Sequence, residues 1–103
     1  MFDRDKLRIA VKGIKDNHSE IPWWTRGGVI LVDDETITLN YIGTLAVFNR
    51  KTVKYYRDRD EEMFVKRIVR IYDEEQDFSV IMYPKAFEEL MKVMKENNCE
   101  GKK

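Results

Sequence analysis

Apolar residues recur at every second position through the middle of this chain and at every third and fourth position near its end. Val29 to Val32 is a short apolar run between Gly27-Gly28 and the polar triplet Asp33, Asp34 and Glu35. It predicts a strand followed by a turn. Thr36 to Ile42 alternates, with Ile37, Leu39 and Tyr41 on one face and Thr36, Thr38 and Asn40 on the other, before Gly43 breaks it. Thr44 to Phe48 and Thr52 to Tyr56 flank the polar turn Asn49-Arg50-Lys51. Adjacent short strands usually pair antiparallel, so this stretch predicts two consecutive hairpins.

The spacing then lengthens. Pro84 suits a first helical turn, where its missing amide hydrogen has no partner to lose. Phe87, Leu90, Met91 and Met94 follow at i, i+3, i+4 and i+7, which is one helix face. Glu88 and Lys92 form an i,i+4 pair on the other side, and Asn97 and Asn98 end the helix. If Phe87 is as buried as this pattern implies, its removal costs about 3–5 kcal/mol.

Two segments support both periods. In Asp3 to Asp16, with Asp3 as cap, Leu7, Ala10, Val11 and Ile14 fit a helix, while Leu7, Ile9 and Val11 fit a strand. In Glu61 to Tyr72, Val65, Ile68, Val69 and Tyr72 fit a helix capped by Asp60, yet the β-branched residues favour a strand. Phe78 to Tyr83 reads as a strand entered from the acidic turn Asp73 to Asp77, and would make a third hairpin with a strand before it. Residues 16 to 28 read as loop.

These elements predict an α+β domain with about five to seven antiparallel strands in a meander and a C-terminal amphipathic helix at about 85–97. With strands at both ambiguous segments, the order is seven strands and one helix. That order resembles a pleckstrin-homology-like domain. The stretch FSVIMYPKAFEELMKVMKE, residues 78 to 96, is similar to the last strand and closing helix of such domains. GGVILVDDETITL, residues 27 to 39, is similar to one of their early hairpins. The resemblance implies a bent antiparallel barrel-like sandwich with the helix plugging one open end. The helix presents Phe87 where eukaryotic members usually carry a tryptophan, and the basic phosphoinositide signature is not matched at the first hairpin. Lipid recognition is therefore not implied. The competing arrangement places helices at Asp3 to Asp16 and Asp60 to Tyr72 over one face of a sheet.

The length of 103 residues fits one domain, with an ordered core from about 7 to 97 and a tail from 98 to 103. The apolar fraction of 43% is ordinary and the charged fraction of 37% is high against about a quarter in typical domains. The 19 basic and 19 acidic side chains cancel, so any polyanion binding would need a local patch. High lysine and glutamate with Gln76 as sole glutamine suit a heat-adapted source, while five asparagines do not. A single cysteine, Cys99, excludes an internal disulfide. The opening residues MFDRDK carry no apolar signal region, apolar runs such as Val29 to Val32 are too short to span a bilayer, and a cytoplasmic location is expected.

Candidate chemistry is sparse. His18 is the only histidine, it sits in a polar loop, and Ser19 beside it cannot partner it by adjacency. The runs Asp33 to Glu35 and Asp73 to Glu75 lack the spacing of a calcium loop, and Gly27-Gly28 lacks the lysine of a phosphate-binding loop. No metal, cofactor or catalytic set is expected. Two features remain. Trp23, Trp24 and Arg26 follow Pro22 in a loop. Neighbouring residues of an extended chain point to opposite faces, so one tryptophan can cover the core while the other is exposed as a partner anchor. The second is the basic-aromatic hairpin 49–59, where Arg50, Lys51, Lys54, Tyr56 and Arg57 could grip phosphate and stack on bases. In a strand Lys54 and Tyr56 share one face and Val53 and Tyr55 the other, so one tyrosine belongs to the core. The expected function is a non-enzymatic binding domain, an accessory or scaffold protein that engages a protein partner or itself through Trp23, Trp24 and Arg26. The alternative is a nucleic-acid-binding protein.

Overall fold

The structure, a computed structural model, describes residues 7–20, 23–59 and 65–97. Pro22, the caps assigned to Asp3 and Asp60, and the tail with Cys99 lie outside the described residues. Among the described residues, eight strands and one helix are formed: β1 (Leu7–Val11), β2 (Gly13–Asp16), β3 (Gly28–Val32), β4 (Thr36–Asn40), β5 (Thr44–Asn49), β6 (Lys54–Arg57), β7 (Arg67–Tyr72), β8 (Asp77–Met82) and α1 (Pro84–Asn97). All strand pairs are antiparallel. One sheet runs β1-β3-β4-β5 and the other β2-β8-β7-β6. The class is α+β, mainly antiparallel, with a strand more than expected.

The extra strand comes from the first ambiguous segment, which is extended throughout. β1 pairs with β3 and β2 with β8, so a single run of chain serves both sheets. It bends at Lys12, whose amide hydrogen already bonds the Ile81 carbonyl of the second sheet at 2.8 Å. The alternation of Ile9 and Val11 carries the strand periodicity into the core. The helical spacing of Leu7, Ala10, Val11 and Ile14 is incidental, because Ala10 is exposed. β7 resolves the second ambiguity in the same direction: it is a strand paired with β8, and the third hairpin is present.

The inner faces interlock in rows. Ile9, Ile30, Leu39 and Ala46 lie side by side across the first sheet, all buried. Ile14, Val80 and Val69 do so across the second. Phe48 meets Phe78 between them, edge to face, with centroids 6.3 Å apart, the arrangement favoured by the ring quadrupole.

One expected hairpin is absent. β5 and β6 lie in different sheets, and β6 pairs with β7. The Asn49 carbonyl accepts the amide hydrogens of Thr52 and Val53, and its side chain accepts that of Lys51. This turn delivers Val53 and Tyr55 into the core from the opposite sheet, both buried. Alternation in residues 52–56 is therefore real, but it says nothing about which strand lies alongside. Residues 50–53 are a crossing between sheets that leads into β6, so β5 and β6 do not form a basic hairpin.

α1 begins after Tyr83, whose carbonyl accepts the Phe87 amide hydrogen at 3.0 Å. It packs on β1 and β7. Leu90, Val93 and Met94 are buried, whereas Phe87, Ala86 and Met91 border that face. Phe87 is only half-buried, with the Arg57 guanidinium 5.2 Å from its ring centroid. Periodicity identifies residues on one face, not the middle of that face, and docking on β1 and β7 sets the middle at Leu90. No helix among the described residues is long and apolar enough to cross a membrane. Leu90→Ala should cost about 2–5 kcal/mol in urea unfolding, and Phe87→Ala measurably less, reversing the order that residue size alone would give.

Candidate binding site

The loop between β2 and β3 is tied down at both ends. At its start, the Asn17 amide hydrogen bonds the Asp77 carbonyl at 2.9 Å, and the Asn17 side chain donates to Asp77 Oδ1 and Ser79 Oγ, each at 2.9 Å. At its end, Thr25 lies along the free edge of β2. Its amide hydrogen bonds the Ile14 carbonyl at 2.9 Å, its Oγ1 accepts the Ile14 amide hydrogen at 2.9 Å, and its hydroxyl donates to the Gly27 carbonyl. This side chain and one peptide group stand in for a neighbouring strand and satisfy an edge that would otherwise be open.

The close approach depends on Gly13. A Cβ there would lie 2.8 Å from the Thr25 carbonyl oxygen and 3.6 Å from Trp24 Cβ. Trp24 therefore rests over the β2 edge, half-buried, with Lys15 Nζ 4.8 Å from its ring centroid, a cation–π contact. Its neighbour Trp23 turns the other way and is 75% exposed. Arg26 is also exposed.

The turn from β4 to β5 reaches the same end of the first sheet, since Val11, Gly28, Val29, Asn40 and Thr44 follow one another across the ladder. Ile42 lies at the tip of this turn with φ 50° and 89% exposure. A β-branched residue in the left-handed region is strained by about 1–2 kcal/mol, and here no burial offsets it. Just beyond, the register slips: Asn40 is opposite Thr44 and Leu39 opposite Ala46, which leaves Leu45 as the extra residue of a bulge. Bulges re-aim side chains. Leu45, 40% exposed, is turned to a cleft of about 210 Å³ that it shares with Trp23, Ile14 and Phe78. Asp16, Ser19 and Thr25 supply its polar lining. Nothing in the sequence signalled the bulge. Ile42 carried a faint signal, an apolar residue next to glycine in a turn.

Beside this end, on the outer face of the second sheet, Arg70 clamps Asp77 with Nε at 2.8 Å and Nη2 at 2.7 Å. The third nitrogen of Arg70 donates to the Tyr56 hydroxyl at 2.7 Å. The Arg70 hydrogen bonds hold the Asp77 carboxyl below the usual carboxylate range, against the opposing effect of burial, and Asn17 adds to the lowering. The same pairing pushes the Arg70 pKa further up.

The basic set of residues 50–57 does not converge. Arg50 donates to the Asp33 carbonyl at 2.7 Å, on the turn between β3 and β4. Arg57 covers Phe87 on the helix. Tyr56 joins Arg70 and stacks edgewise on Tyr72, 6.0 Å away. Lys51 and Lys54 are exposed, in the crossing and on β6. The acidic turn at Asp73 to Asp77 thus finds its cation in Arg70 of the neighbouring strand. Among the described residues, no three His, Cys, Asp or Glu side chains gather within reach of one ion.

Comparison with protein-family models, with curated proteins and with solved structures finds no match. The site is therefore defined by its geometry.

Two measurements check this description. Ile42→Asn, which suits the left-handed region, should stabilise the protein by up to about 1 kcal/mol in urea unfolding; destabilisation would show that the turn is not strained. Because the folded pKa of Asp77 is depressed, its contribution is complete above the ordinary carboxylate pKa of about 4 and is lost as pH falls through the lower folded value. The stability gap between wild type and Asp77→Asn should therefore narrow as pH falls below that range, and a gap independent of pH would contradict the pairing.

Proposed function

We propose that this chain is a non-enzymatic interaction domain of pleckstrin-homology-like architecture that engages a protein partner through its Trp23 end. The observation carrying this reading is the gathering of Trp23, Ile42 and Leu45, all exposed, on adjoining segments at one end of the sandwich. Single exposed apolar residues are ordinary, but an exposed tryptophan and a bulge-directed leucine sharing one cleft, with an exposed isoleucine on the turn before that leucine, is a concentration of the kind that marks docking surfaces. The fold reading is supported by the topology. Counting the bent run β1–β2 as one strand gives seven strands in two sheets, closed by a C-terminal helix. The cleft of about 210 Å³ is below the roughly 300–1,000 Å³ of small-molecule sites and suits one inserted side chain better than a metabolite. Trp24 serves this site as a positioning residue, held over β2, while Arg26 stands at its margin.

The nucleic-acid alternative has less support, since Arg50, Tyr56 and Arg57 are directed to three different parts of the protein.

The experiment is selection from a random peptide library displayed on phage, followed by affinity measurement on purified protein. Peptides enriched on the wild type should bind Trp23→Ala at least about tenfold more weakly, while the variant, altered at an exposed position, keeps its stability within about 0.5 kcal/mol. Failure to enrich any peptide, or equal binding to the variant, would retire the reading. Quenching of tryptophan fluorescence by single-stranded RNA or DNA, falling steeply with salt, would replace it with the nucleic-acid one.

A further inference from the structure

The hydrogen-bond phase of β5 decides which of its peptide groups are spent on β4. Thr36 is opposite Asn49, and one step further the Arg50 amide hydrogen bonds the Glu35 carbonyl at 2.9 Å. Bonded and non-bonded pairs alternate along an antiparallel ladder. Ile37 and Phe48 are therefore a bonded pair, whereas Thr38 and Val47 are not, and both peptide groups of Val47 point away from β4. Two contacts agree with this phase. The Val47 carbonyl accepts the Gln76 side chain at 3.0 Å. The Asn49 carbonyl, two residues on, accepts the amide hydrogens of Thr52 and Val53 and not one from β4. Among the described residues, nothing accepts the Val47 amide hydrogen. β5 is the last strand of its sheet, so these groups lie on an open edge. The strand, Thr44 to Asn49, has neither a charged residue nor a proline, the residues that commonly guard such edges.

We infer, building on the interaction reading above, that the partner binds as an extended segment of another protein that adds a fifth strand to the first sheet along β5. Its backbone offers a carbonyl to the Val47 amide hydrogen and an amide hydrogen to the Val47 carbonyl. A carbonyl oxygen has two lone pairs, so the Gln76 bond can persist beside the new one. In strand addition the main chain provides affinity, and pockets for alternate side chains provide specificity. With a period of two, one set of side chains falls beside Leu45, where the cleft shared with Trp23, Ile14 and Phe78 takes an apolar group. The intervening set runs along the outer face beside the exposed Val47. A second copy of this chain suits the edge less well. The bulge at Leu45 and the Gln76 bond at Val47 interrupt it, and such interruptions hinder the edge-to-edge meeting of two rigid sheets. A single flexible segment can follow both.

The test uses the full chain and the tightest Trp23-dependent peptide from the phage selection, made with a terminal fluorophore and as a series of variants, each N-methylated at one backbone amide. Affinities are read by anisotropy. Along the docked stretch the losses should alternate: methylation of an amide facing β5 weakens binding at least about tenfold, while methylation of its neighbours leaves it within about twofold. On the protein, Val47→Pro removes the outward amide hydrogen and leaves the bonds to β4 in place, a position where proline is tolerated. It should weaken the unmethylated peptide at least about tenfold. If that variant does not fold, the methylation series reads the same property on the wild type. Tolerance of N-methylation at every position, with dependence on Trp23 retained, would overturn strand addition and leave the interaction domain standing. A wild-type dimer in sedimentation velocity that Val47→Pro converts to a monomer would also overturn it, by assigning the edge to a second copy. A selection that yields no Trp23-dependent peptide would remove both readings together.

Discussion

The architecture depends on one run of chain, Leu7 to Asp16, that belongs to two sheets at once. Its first half completes the β1-β3-β4-β5 sheet and its second half the β2-β8-β7-β6 sheet. The two inner faces are thereby joined along a continuous backbone, and Phe48 and Phe78 can meet between them. At the bend stands Gly13, which has no side chain to keep Thr25 away. Thr25 consequently fills the hydrogen-bonding positions on the open edge of β2. Satisfying those backbone groups with a loop instead of another strand avoids the cost of leaving them unpaired and also fixes where the loop goes.

That placement links the fold to the site. With Trp24 held over β2 and Asn17 tied to Asp77 and Ser79, the intervening loop has fixed anchors on both sides of Trp23. Opposite it, the turn and bulge of β4 and β5 present Ile42 and Leu45. Both break a local rule: a β-branched residue occupies a left-handed conformation, and an extra residue interrupts a ladder. Such departures concentrate at functional positions, where local strain is sustained by the surrounding structure. Here the surroundings are a rigid pair of sheets, and the departures sit at their rim.

Charge is distributed by the same topology. The sequence places five cations between Arg50 and Arg59 with one acid among them, which reads as a basic segment. Because the chain crosses between sheets there, Arg50 and Arg57 end at opposite features, the Asp33 turn and the Phe87 ring. A linear cluster was dispersed, so electrostatic character at a site cannot be read from runs of like charge.

The sequence by itself determined the α+β class, the turns at Asp33 and Asp73, the strand after the second of them, and the helix near the C-terminal end, since these rest on periodicity and on short-range hydrogen bonds. The Asp33 carboxylate, for example, accepts the amide hydrogens of Glu35 and Thr36, within three residues of itself. It also put a tryptophan pair in a loop, which is how Trp23 was found. Only the tertiary structure decided that Leu7 to Asp16 and Arg67 to Tyr72 are extended, that β6 pairs with β7 and not β5, that Leu90 and not Phe87 centres the buried helix face, and that Leu45 shares a cleft with Trp23. An apolar period records which residues need burial, but every inner face in this protein is apolar and so offers the same burial. The choice among them is made by chain closure and packing across the two sheets, which no local stretch of sequence contains.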